Sequence, residues 1–547
     1  MILDARELPD GARLEADVAV VGAGPAGITL SGELLGSGLS VLLLEAGGEK
    51  GAAELDPFHG EVVDLERHPQ LVLYRRRGLG GTSALWGGRC VPFDPIDLEE
   101  RPHVPWSGWP MDWAELRRWY DKAAAWCEAG PFRFRAGEAL AGRPPMVPGL
   151  ASDQVDIDGL ERFSPPTRFG SRYRSMMAAA PDLRVVLSAA CVGVDMAESG
   201  RAVAGLRMAS APGRGFTVAA RHTVLAAGGL ETPRLMLASG LGQGRPTLGR
   251  FYMCHIEGKA AVARFPDPAK VVFAYERDPK GIYCRRFFAV KAPAQRRLGL
   301  TNTILRFEPP VVADPAHGSP VLSALYLVHT LLEPEYGRKV ASYNFRAGAE
   351  QEVRPSLARH LGNVLGGLPE LARFAIDWGW RHSLAARKLP YIALKPRDGA
   401  YAVDYNAEQV PNPDSRVMLG EGVDAFGMPR LKVDWRITET DLAGIVGTHR
   451  LLAAELAACG AGRLDVDEAA ILDGYKAAAS HHIGTARMAD DPARGVVDRH
   501  CRVHGIDNLY LASSAVFPTS SHANPTLTIV ALAARLAAHL AQRVRGG

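Results

Sequence analysis

Two short apolar runs enclose a glycine-rich turn near the start of the chain. Residues 17–22 (DVAVVG) and residues 40–45 (SVLLLE) are nearly continuous apolar stretches, which is typical of buried strands. Between them, residues 25–37 have the pattern of a helix. The order strand, turn, helix, strand predicts a βαβ unit and therefore a parallel sheet.

The pattern changes along the rest of the chain. Residues 184–194 and 221–227 predict further strands, and residues 525–543 predict a long helix. The glycine-rich residues 75–90 predict a loop whose backbone closely approaches another group. Residues 255–477 combine β-like stretches with a basic helical stretch near 355–388. The β-like stretches of this middle region are 281–291, 301–308, 401–406, 415–419 and 430–437.

Composition narrows the class of protein. The 547 residues suffice for two or more domains, and 63 basic against 60 acidic side chains leave a net charge of +3 with no long basic run. Nucleic acid is therefore not an expected partner. We find no signal peptide and no apolar stretch long enough to span a membrane. The seven scattered cysteines lack CxxC spacing, which favours reduced thiols in the cytoplasm over disulfides or a metal site.

The glycine-rich turn carries a dinucleotide fingerprint. Gly22, Gly24 and Gly27 form G-x-G-x-x-G between a strand and a helix, and Glu45 ends the next strand. Glycines permit the tight turn and the approach of a pyrophosphate to the helix N-terminus, while the carboxylate can accept bonds from ribose hydroxyls. A 2′-phosphate would be repelled, so FAD or NAD fits better than NADP. The motif does not separate FAD from NAD, and a tight turn without a ligand is the structural alternative.

The segment 481–529 carries the candidate chemistry. His481 can act as a general base on an alcohol, because histidine titrates near neutral pH. Asn524 can hold the same oxygen by a hydrogen bond, and as a residue before Pro525 it is also a favoured helix N-cap. An isolated histidine is more often structural, and the alternative for Asn524 is a plain cap. The surrounding pattern favours catalysis.

Five segments together resemble the glucose–methanol–choline (GMC) oxidoreductases, FAD enzymes that oxidise alcohols. They are the N-terminal fingerprint, GLGGTSALWGG (78–88), VLAAGGLETPRLMLASG (224–240), LGRFYMCH (248–255) and the 481–529 block. The resemblance implies an α/β fold with a Rossmann-like FAD domain, formed by residues 1–254 and 478–547. It also implies a separate α+β substrate domain with an antiparallel sheet, formed by residues 255–477.

The resemblance assigns roles residue by residue. The family's base lies in H-x-x-G-[TG], which matches His481, and its second catalytic residue matches Asn524. The expected FAD-binding residues are Gly22, Gly24, Pro25, Ala26, Gly27, Glu45, Ala46, Gly80, Gly81, Thr82, Ser83, Trp86, Gly87, Gly88, Val192, Ala227, Gly228, Ser513, Ser514, Pro525 and Thr526. Further candidates for substrate contact are His482, His522, His255 and Gln409. Structural roles are the alternative for these four.

Two positions depart from the family pattern. Several members tether FAD through a histidine two residues after the loop serine, and this chain has Leu85 there. We therefore expect non-covalent FAD, although Cys90 lies near enough in sequence for a thioether link. The family often has an aspartate where this chain has Ser513, which puts one contact to FAD in doubt.

The motifs resemble most closely those of bacterial members that act on sugars, glycosides and aminosugars. They are TSxLWGG, SGWP (107–110) and HHxGTxRM. The expected reaction is oxidation of CH–OH to a carbonyl, with hydride transfer to the flavin and with oxygen or an organic or protein acceptor taking the electrons. The alternatives are a polyol-, choline- or sterol-like alcohol, or a flavin-containing lyase. A homo-oligomer is compatible with the sequence, and we predict no metal.

Overall fold

The structure is a computed structural model of the chain. It describes residues 1–49, 58–332, 356–385, 387–390, 392–478 and 480–545. Within these ranges, no helix combines the length and the apolar character that crossing a bilayer requires.

A largely parallel sheet forms the dinucleotide-binding half. The strand Arg13–Val21 pairs in parallel with Val41–Leu44 on one side and with Arg214–Leu225 on the other. Residues of both predicted strands are fully buried, as Val20 and Leu43 show. The remaining strands of this sheet are Ile2–Asp4, Leu183–Leu187, Ala190–Met196, Val203–Ala211 and Leu509–Leu511. The predicted parallel βαβ unit is confirmed.

Glycine makes the first turn of this unit possible. Gly22 has φ +106°, and a Cβ atom there would lie 2.6 Å from the carbonyl oxygen of Ala226. A Cβ atom at Gly27 would lie 2.0 Å from the carbonyl oxygen of Gly22, so only glycine lets the helix Pro25–Glu33 pack on its strand. This helix ends earlier than the predicted residues 25–37, because Gly36 and Gly38 adopt positive φ.

The second large sheet is antiparallel, as predicted. Its main strands lie in the order Arg463–Val466, Ile256–Arg264, Tyr401–Ala407, Thr303–Phe307, Phe288–Val290 and Val155–Asp156. The strand Lys476–Ala477 also pairs with Ile256–Arg264. One face, which includes Val403 and Tyr405, packs into the apolar core with the helix Glu439–Ala458. The other face carries polar side chains such as Asp404 and Asn406.

Two smaller sheets join the segments on either side of residue 254. The four-stranded sheet has the order Glu276–Arg277, Tyr283–Arg286, Leu160–Phe163 and Arg89–Cys90. The three-stranded sheet has the order Arg416–Val423, Pro429–Asp434 and Gly60–Val62. Residues 60–163 therefore give strands to the sheets of the middle region. The domain boundary expected at residue 254 does not separate the sheets, because strands from both sides of it pair with one another.

Helices cover the sheets and fill the remaining described chain. The longer ones are Trp113–Trp126, Gly228–Ala238, Pro320–Leu332, Leu357–Gly366, Leu368–Trp378 and Thr526–Arg545, together with Pro25–Glu33 and Glu439–Ala458. The shorter α-helices are Pro95–Leu98, Ala136–Ala139, Phe169–Arg172, Arg174–Ala179, Ala292–Leu298 and Glu468–Gly474. The 3-10 turns are Ala5–Glu7, Gly81–Ala84, Pro268–Lys270, Pro315–His317 and Ser514–Val516, and Gly379–Leu384 is a π-helical turn.

Two sequence predictions are confirmed with small changes. The basic stretch near 355–388 is helical over Leu357–Gly366 and Leu368–Trp378, while residues 355 and 386 lie outside the described residues. The stretch 184–194 forms two strands rather than one, because Ser188 has φ +54° between them. The C-terminal helix packs against Pro25–Glu33 and Trp113–Trp126.

Candidate active site

A cavity of about 820 Å³ brings the predicted segments together. It extends from the dinucleotide fingerprint to the 481–529 block. The predicted residues that line it are Gly22, Gly24, Pro25, Ala26, Glu45, Ala46, Gly81, Thr82, Ser83, Trp86, Gly87, Val192, Ala227, Gly228, His481, His482, Ser513, Ser514, Asn524, Pro525 and Thr526.

Three helices begin at this cavity. Pro25, Gly228 and Thr526 are the first residues of their helices, and all three line the cavity wall. The first amides of a helix have no partner within it, and its N-terminus is a positive pole. Gly24, the N-cap of the first helix, has no side chain to cap these amides, and a Cβ atom there would meet no atom within 4 Å. The cavity therefore suits an anionic group.

Glu45 holds the turns around the cavity. Its carboxylate accepts hydrogen bonds at 2.9 Å from the backbone amides of Ala23, Gly47 and Gly78. The Oε1 atom takes two of these bonds and Oε2 takes one, which leaves acceptor capacity at Oε2. Burial raises the pKa of this carboxyl, while the three amides act in the opposite direction. Glu45 therefore joins two loops and still faces the cavity.

Three predicted glycines lie behind the cavity wall rather than on it. Gly27 packs against Gly22, as described above. A Cβ atom at Gly80 would lie 2.5 Å from the amide nitrogen of Gly170, and one at Gly88 would lie 2.9 Å from Pro166 and Ser164. Their role in the structure is close packing, which orients the loop that the cavity-lining residues occupy.

The two predicted catalytic residues are in contact. Nε2 of His481 lies 2.8 Å from Nδ2 of Asn524. The C-terminal helix begins at Thr526, and the carbonyl of Pro525 accepts the first helical bond, from Ile529. Pro525 therefore occupies the cap position, and the expectation that Asn524 caps the helix is wrong. Asn524 lies one residue before this cap position, and its side-chain amide is turned toward His481.

His255 lies on the other side of the His481 ring. Its Nδ1 atom is 2.8 Å from Nδ1 of His481, and its Nε2 atom is 3.1 Å from the carbonyl oxygen of Ser520. Burial lowers the pKa of His255 to about 3. Burial, followed by the electrostatic interactions with His255 and with the Arg89 guanidinium, lowers the pKa of His481 well below its ordinary value. Both rings are therefore neutral at physiological pH.

A separate network holds His482. Its Nδ1 atom lies 2.9 Å from the hydroxyl of Tyr252, which lies 2.8 Å from Nε2 of His68 and 3.1 Å from Sγ of Cys254. His68, Cys254 and His482 place potential ligand atoms within 4.8 Å of one another. The Tyr252 hydroxyl bonds to all three, so the cluster is a hydrogen-bonded network, and we derive no metal role from it.

Two predicted substrate contacts lie elsewhere. The side chain of His522 is 1% exposed and pairs with Asp94 at 3.2 Å, which raises its pKa despite burial. The Gln409 amide oxygen accepts from the Cys254 amide and the Trp435 indole, and its nitrogen donates to a main-chain carbonyl. Neither residue is among the described cavity-lining residues. The structure places both in the packing around the site.

Sequence reasoning missed Arg89 and the arginines before the glycine loop. Arg89 lines the cavity, and its Nε atom lies 3.5 Å from Oε1 of Glu161. Arg75 lines the cavity and pairs with Glu231 at 2.8 Å, and Arg234 pairs with the same glutamate at 2.8 Å. For the arginines before the glycine loop, the sequence signal was the basic run RRR at residues 75–77. That run does not include Arg89.

Two family models described as GMC oxidoreductase match the chain. One covers residues 171–257 and the other covers residues 411–533. The first match contains Gly228 and His255, and the second contains His481 and Asn524.

Relatives and solved structures agree with these matches. The chain is 22% identical to the 6'''-hydroxyparomomycin C oxidase of Streptomyces lividus, over 96% of this chain and 92% of that protein. It is 24% identical to the 2-methyl-1,2-propanediol dehydrogenase of Mycolicibacterium austroafricanum, over 97% of this chain and 96% of that protein. The crystal structure of formate oxidase has the same fold, with a TM-score of 0.56 and 17% identity over 98% of this chain and 100% of that one.

Proposed function

The chain belongs to the GMC oxidoreductases, a family of FAD-dependent alcohol oxidoreductases, and on this premise we propose which alcohol it oxidises and which residues act. The proposed reaction converts CH–OH to a carbonyl on a sugar, a glycoside or an aminosugar, with His481 as the base. The observation that carries this proposal is the contact between His481 and Asn524 in the wall of the cavity that begins at the dinucleotide fingerprint.

The cavity fits FAD. The open space at Gly24 and the helix N-termini at Pro25 and Gly228 suit the diphosphate, and the remaining acceptor capacity of Glu45 suits a ribose hydroxyl. His481 and Asn524 lie in the wall of the same cavity, where the flavin would meet the substrate. When bound, FAD supplies the acceptor for the hydride that leaves the alcohol carbon.

The chain's own residues handle the proton. Because the pKa of His481 is lowered by burial, its ring is unprotonated and ready to accept a proton at physiological pH. In the resting site Nε2 of His481 is next to the amide of Asn524. A substrate hydroxyl that enters between them would give its proton to Nε2 and accept a hydrogen bond from the amide. Asn524 thereby orients the oxygen as negative charge develops on it.

The surroundings of His481 favour a hydroxyl-rich substrate. Arg89 and Arg306 are close enough for their charges to lower the pKa of His481. Arg306 pairs with Asp404 at 2.5 Å, and burial raises the pKa of the nearby Glu257 to about 7. Arg89 lines the cavity, and its guanidinium can donate hydrogen bonds to sugar hydroxyls, a match that a sterol-like substrate with few hydroxyls would not provide. The relative named 6'''-hydroxyparomomycin C oxidase supports the same substrate class.

Anaerobic flavin reduction tests the proposal. The purified holoenzyme is mixed with sugars, glycosides and aminoglycosides, with a small 1,2-diol, choline and a sterol as comparison substrates. We expect bleaching of the flavin by at least one of the carbohydrates. Bleaching by the diol alone would favour a non-sugar alcohol, as the name of the second relative suggests for that protein. Cleavage of a cyanohydrin without bleaching would identify a lyase and overturn the proposal.

A further inference from the structure

We propose that His255 is a positioning residue that, together with the carbonyl of Ser520, fixes the tautomer of His481. In the tautomer so fixed, the hydrogen of His481 is on Nδ1 and the lone pair of Nε2 faces Asn524. This inference rests on the proposed role of His481 as the base. It assigns no contact between His255 and the substrate.

The first step fixes the hydrogen of His255. Its Nε2 atom lies 3.1 Å from the carbonyl oxygen of Ser520, and a carbonyl can only accept a hydrogen bond. Nε2 of His255 therefore carries a hydrogen. The side chain is fully buried, and burial lowers its pKa to about 3, so the ring carries one hydrogen and not two. Nδ1 of His255 is consequently a lone-pair acceptor.

The second step transfers this constraint to His481. The two Nδ1 atoms are 2.8 Å apart, and one of them must donate. Since Nδ1 of His255 is the acceptor, Nδ1 of His481 donates. The ring of His481 is neutral, so its Nε2 atom has the lone pair, and it lies 2.8 Å from the amide of Asn524. A base needs its lone pair at this atom to take the proton of a bound hydroxyl.

A neutral orienting residue has a chemical consequence. A carboxylate in the position of His255 would stabilise a protonated His481 and raise its pKa. The neutral imidazole of His255 fixes the ring of His481 in the same way but adds no negative charge. When His481 takes the substrate proton on Nε2, its Nδ1–H bond to His255 is kept, and no proton has to move through His255.

The hydrogen bonds of His482, the neighbour of His481, show that the arrangement at His481 is specific to that residue. His68 donates from Nδ1 to the carbonyl of Pro69 at 2.7 Å, so its Nε2 atom accepts from the Tyr252 hydroxyl. Tyr252 in turn accepts the Nδ1 hydrogen of His482. Adjacent histidines are thus held by separate networks with separate carbonyl anchors. A change at His255 removes the anchor of His481 and leaves that of His482 intact.

The direct test is ¹⁵N NMR of ring nitrogens in the histidine-labelled, FAD-loaded protein without substrate. The signal of His481 is identified by its loss in the His481→Gln variant. We expect its hydrogen on Nδ1 and none on Nε2. A hydrogen on Nε2, or a mixture of both tautomers in the unmutated protein, would overturn the inference without any question of folding.

Two substitutions test the consequence for catalysis. His255→Leu removes the acceptor and should slow flavin reduction at saturating substrate by roughly 10²-fold, because the His481 ring then loses both its fixed tautomer and its fixed orientation. His255→Asn keeps an acceptor at the δ position for His481 but not the donor that reaches Ser520, and it should restore most of the rate. His449→Leu is the matched control, because this histidine is equally buried but bonds the carbonyl of Ile445 within its own helix.

The outcomes separate this inference from the proposed function. Unchanged flavin reduction in His255→Leu, with the His481 hydrogen still on Nδ1, would overturn the positioning role alone. Equal slowing by His255→Leu, His255→Asn and His449→Leu would also overturn it, because loss of packing would then explain the effect. If His481→Ala reduces its flavin at the normal rate, the proposed base itself is wrong.

Discussion

Nε2 of His481 and the amide nitrogen of Asn524 lie 2.8 Å apart, although 43 positions separate the two residues in sequence. The turn before the C-terminal helix brings them together at the cavity wall. Because the helix begins only at Thr526, Asn524 is available to the reaction site rather than used as a cap.

Replacing Asn524 should affect catalysis more than stability. Asn524→Ala removes the proposed donor to the substrate oxygen, so flavin reduction should slow on the order of 10–10²-fold. The cap position is Pro525 and the Asn524 amide is turned toward His481, so we do not expect the loss of about 1 kcal/mol that is typical of a removed side-chain cap. Stopped-flow reduction and chemical denaturation measure the two effects. A normal reduction rate with a clear loss of stability would favour the plain structural role.

The proposed base, His481, should remain active under mildly acidic conditions. Burial and the electrostatic interactions with His255 and the Arg89 guanidinium lower the pKa of His481, so its protonation occurs below pH 6.5 and not near it. The limiting rate of flavin reduction should therefore stay constant from about pH 8 to about pH 6.5 and fall only at lower pH. A loss of rate centred at or above pH 6.5 would show that the base is not held in this environment.

Glu45→Gln should weaken FAD binding and lower stability. The amide that replaces the carboxylate presents N–H to at least one of three backbone donors, which leaves a buried donor unpaired at a cost of about 1–3 kcal/mol. We expect a lower ratio of flavin to protein and a lower midpoint of unfolding. Glu15→Gln is the control, because Glu15 is exposed on the same sheet. Full flavin occupancy in Glu45→Gln would rule out the assigned role.

Acid precipitation should release the flavin into the supernatant. Leu85 lines the cavity at the position where several family members have a tethering histidine, and leucine forms no such bond. Cys90, the other candidate, is fully buried, with its thiol directed at the carbonyl of Gly88, and is not among the described cavity-lining residues. Flavin absorbance that stays with the precipitated protein would show a covalent link.

Local patterns made much of this architecture predictable. The strand, glycine turn and helix at residues 17–37 depend on contacts between near neighbours, and the structure has them at Arg13–Val21 and Pro25–Glu33. The antiparallel sheet and the pairing of His481 with Asn524 were predicted from the family resemblance. The spacing of apolar residues does not predict either of them.

Contacts between distant segments could not be predicted from local sequence patterns. The bond from His255 to His481 joins residues 226 positions apart, and nothing near His255 distinguishes it from a structural histidine. Glu45 was expected at a ribose, but its bonds to Ala23 and Gly78 depend on how two loops meet. Strands from residues 60–163 pair with the middle region for the same reason, so the domain boundary could not be placed from local composition.

The assignment of the base is tested most directly by comparing His481→Ala with His482→Ala. Neighbouring side chains diverge, and of the two described histidines it is His481 that bonds to Asn524. Anaerobic stopped-flow reduction at saturating substrate should slow on the order of 10²–10⁴-fold in His481→Ala, with FAD still bound, and far less in His482→Ala. A crippled His482→Ala variant beside a nearly normal His481→Ala variant would contradict the account.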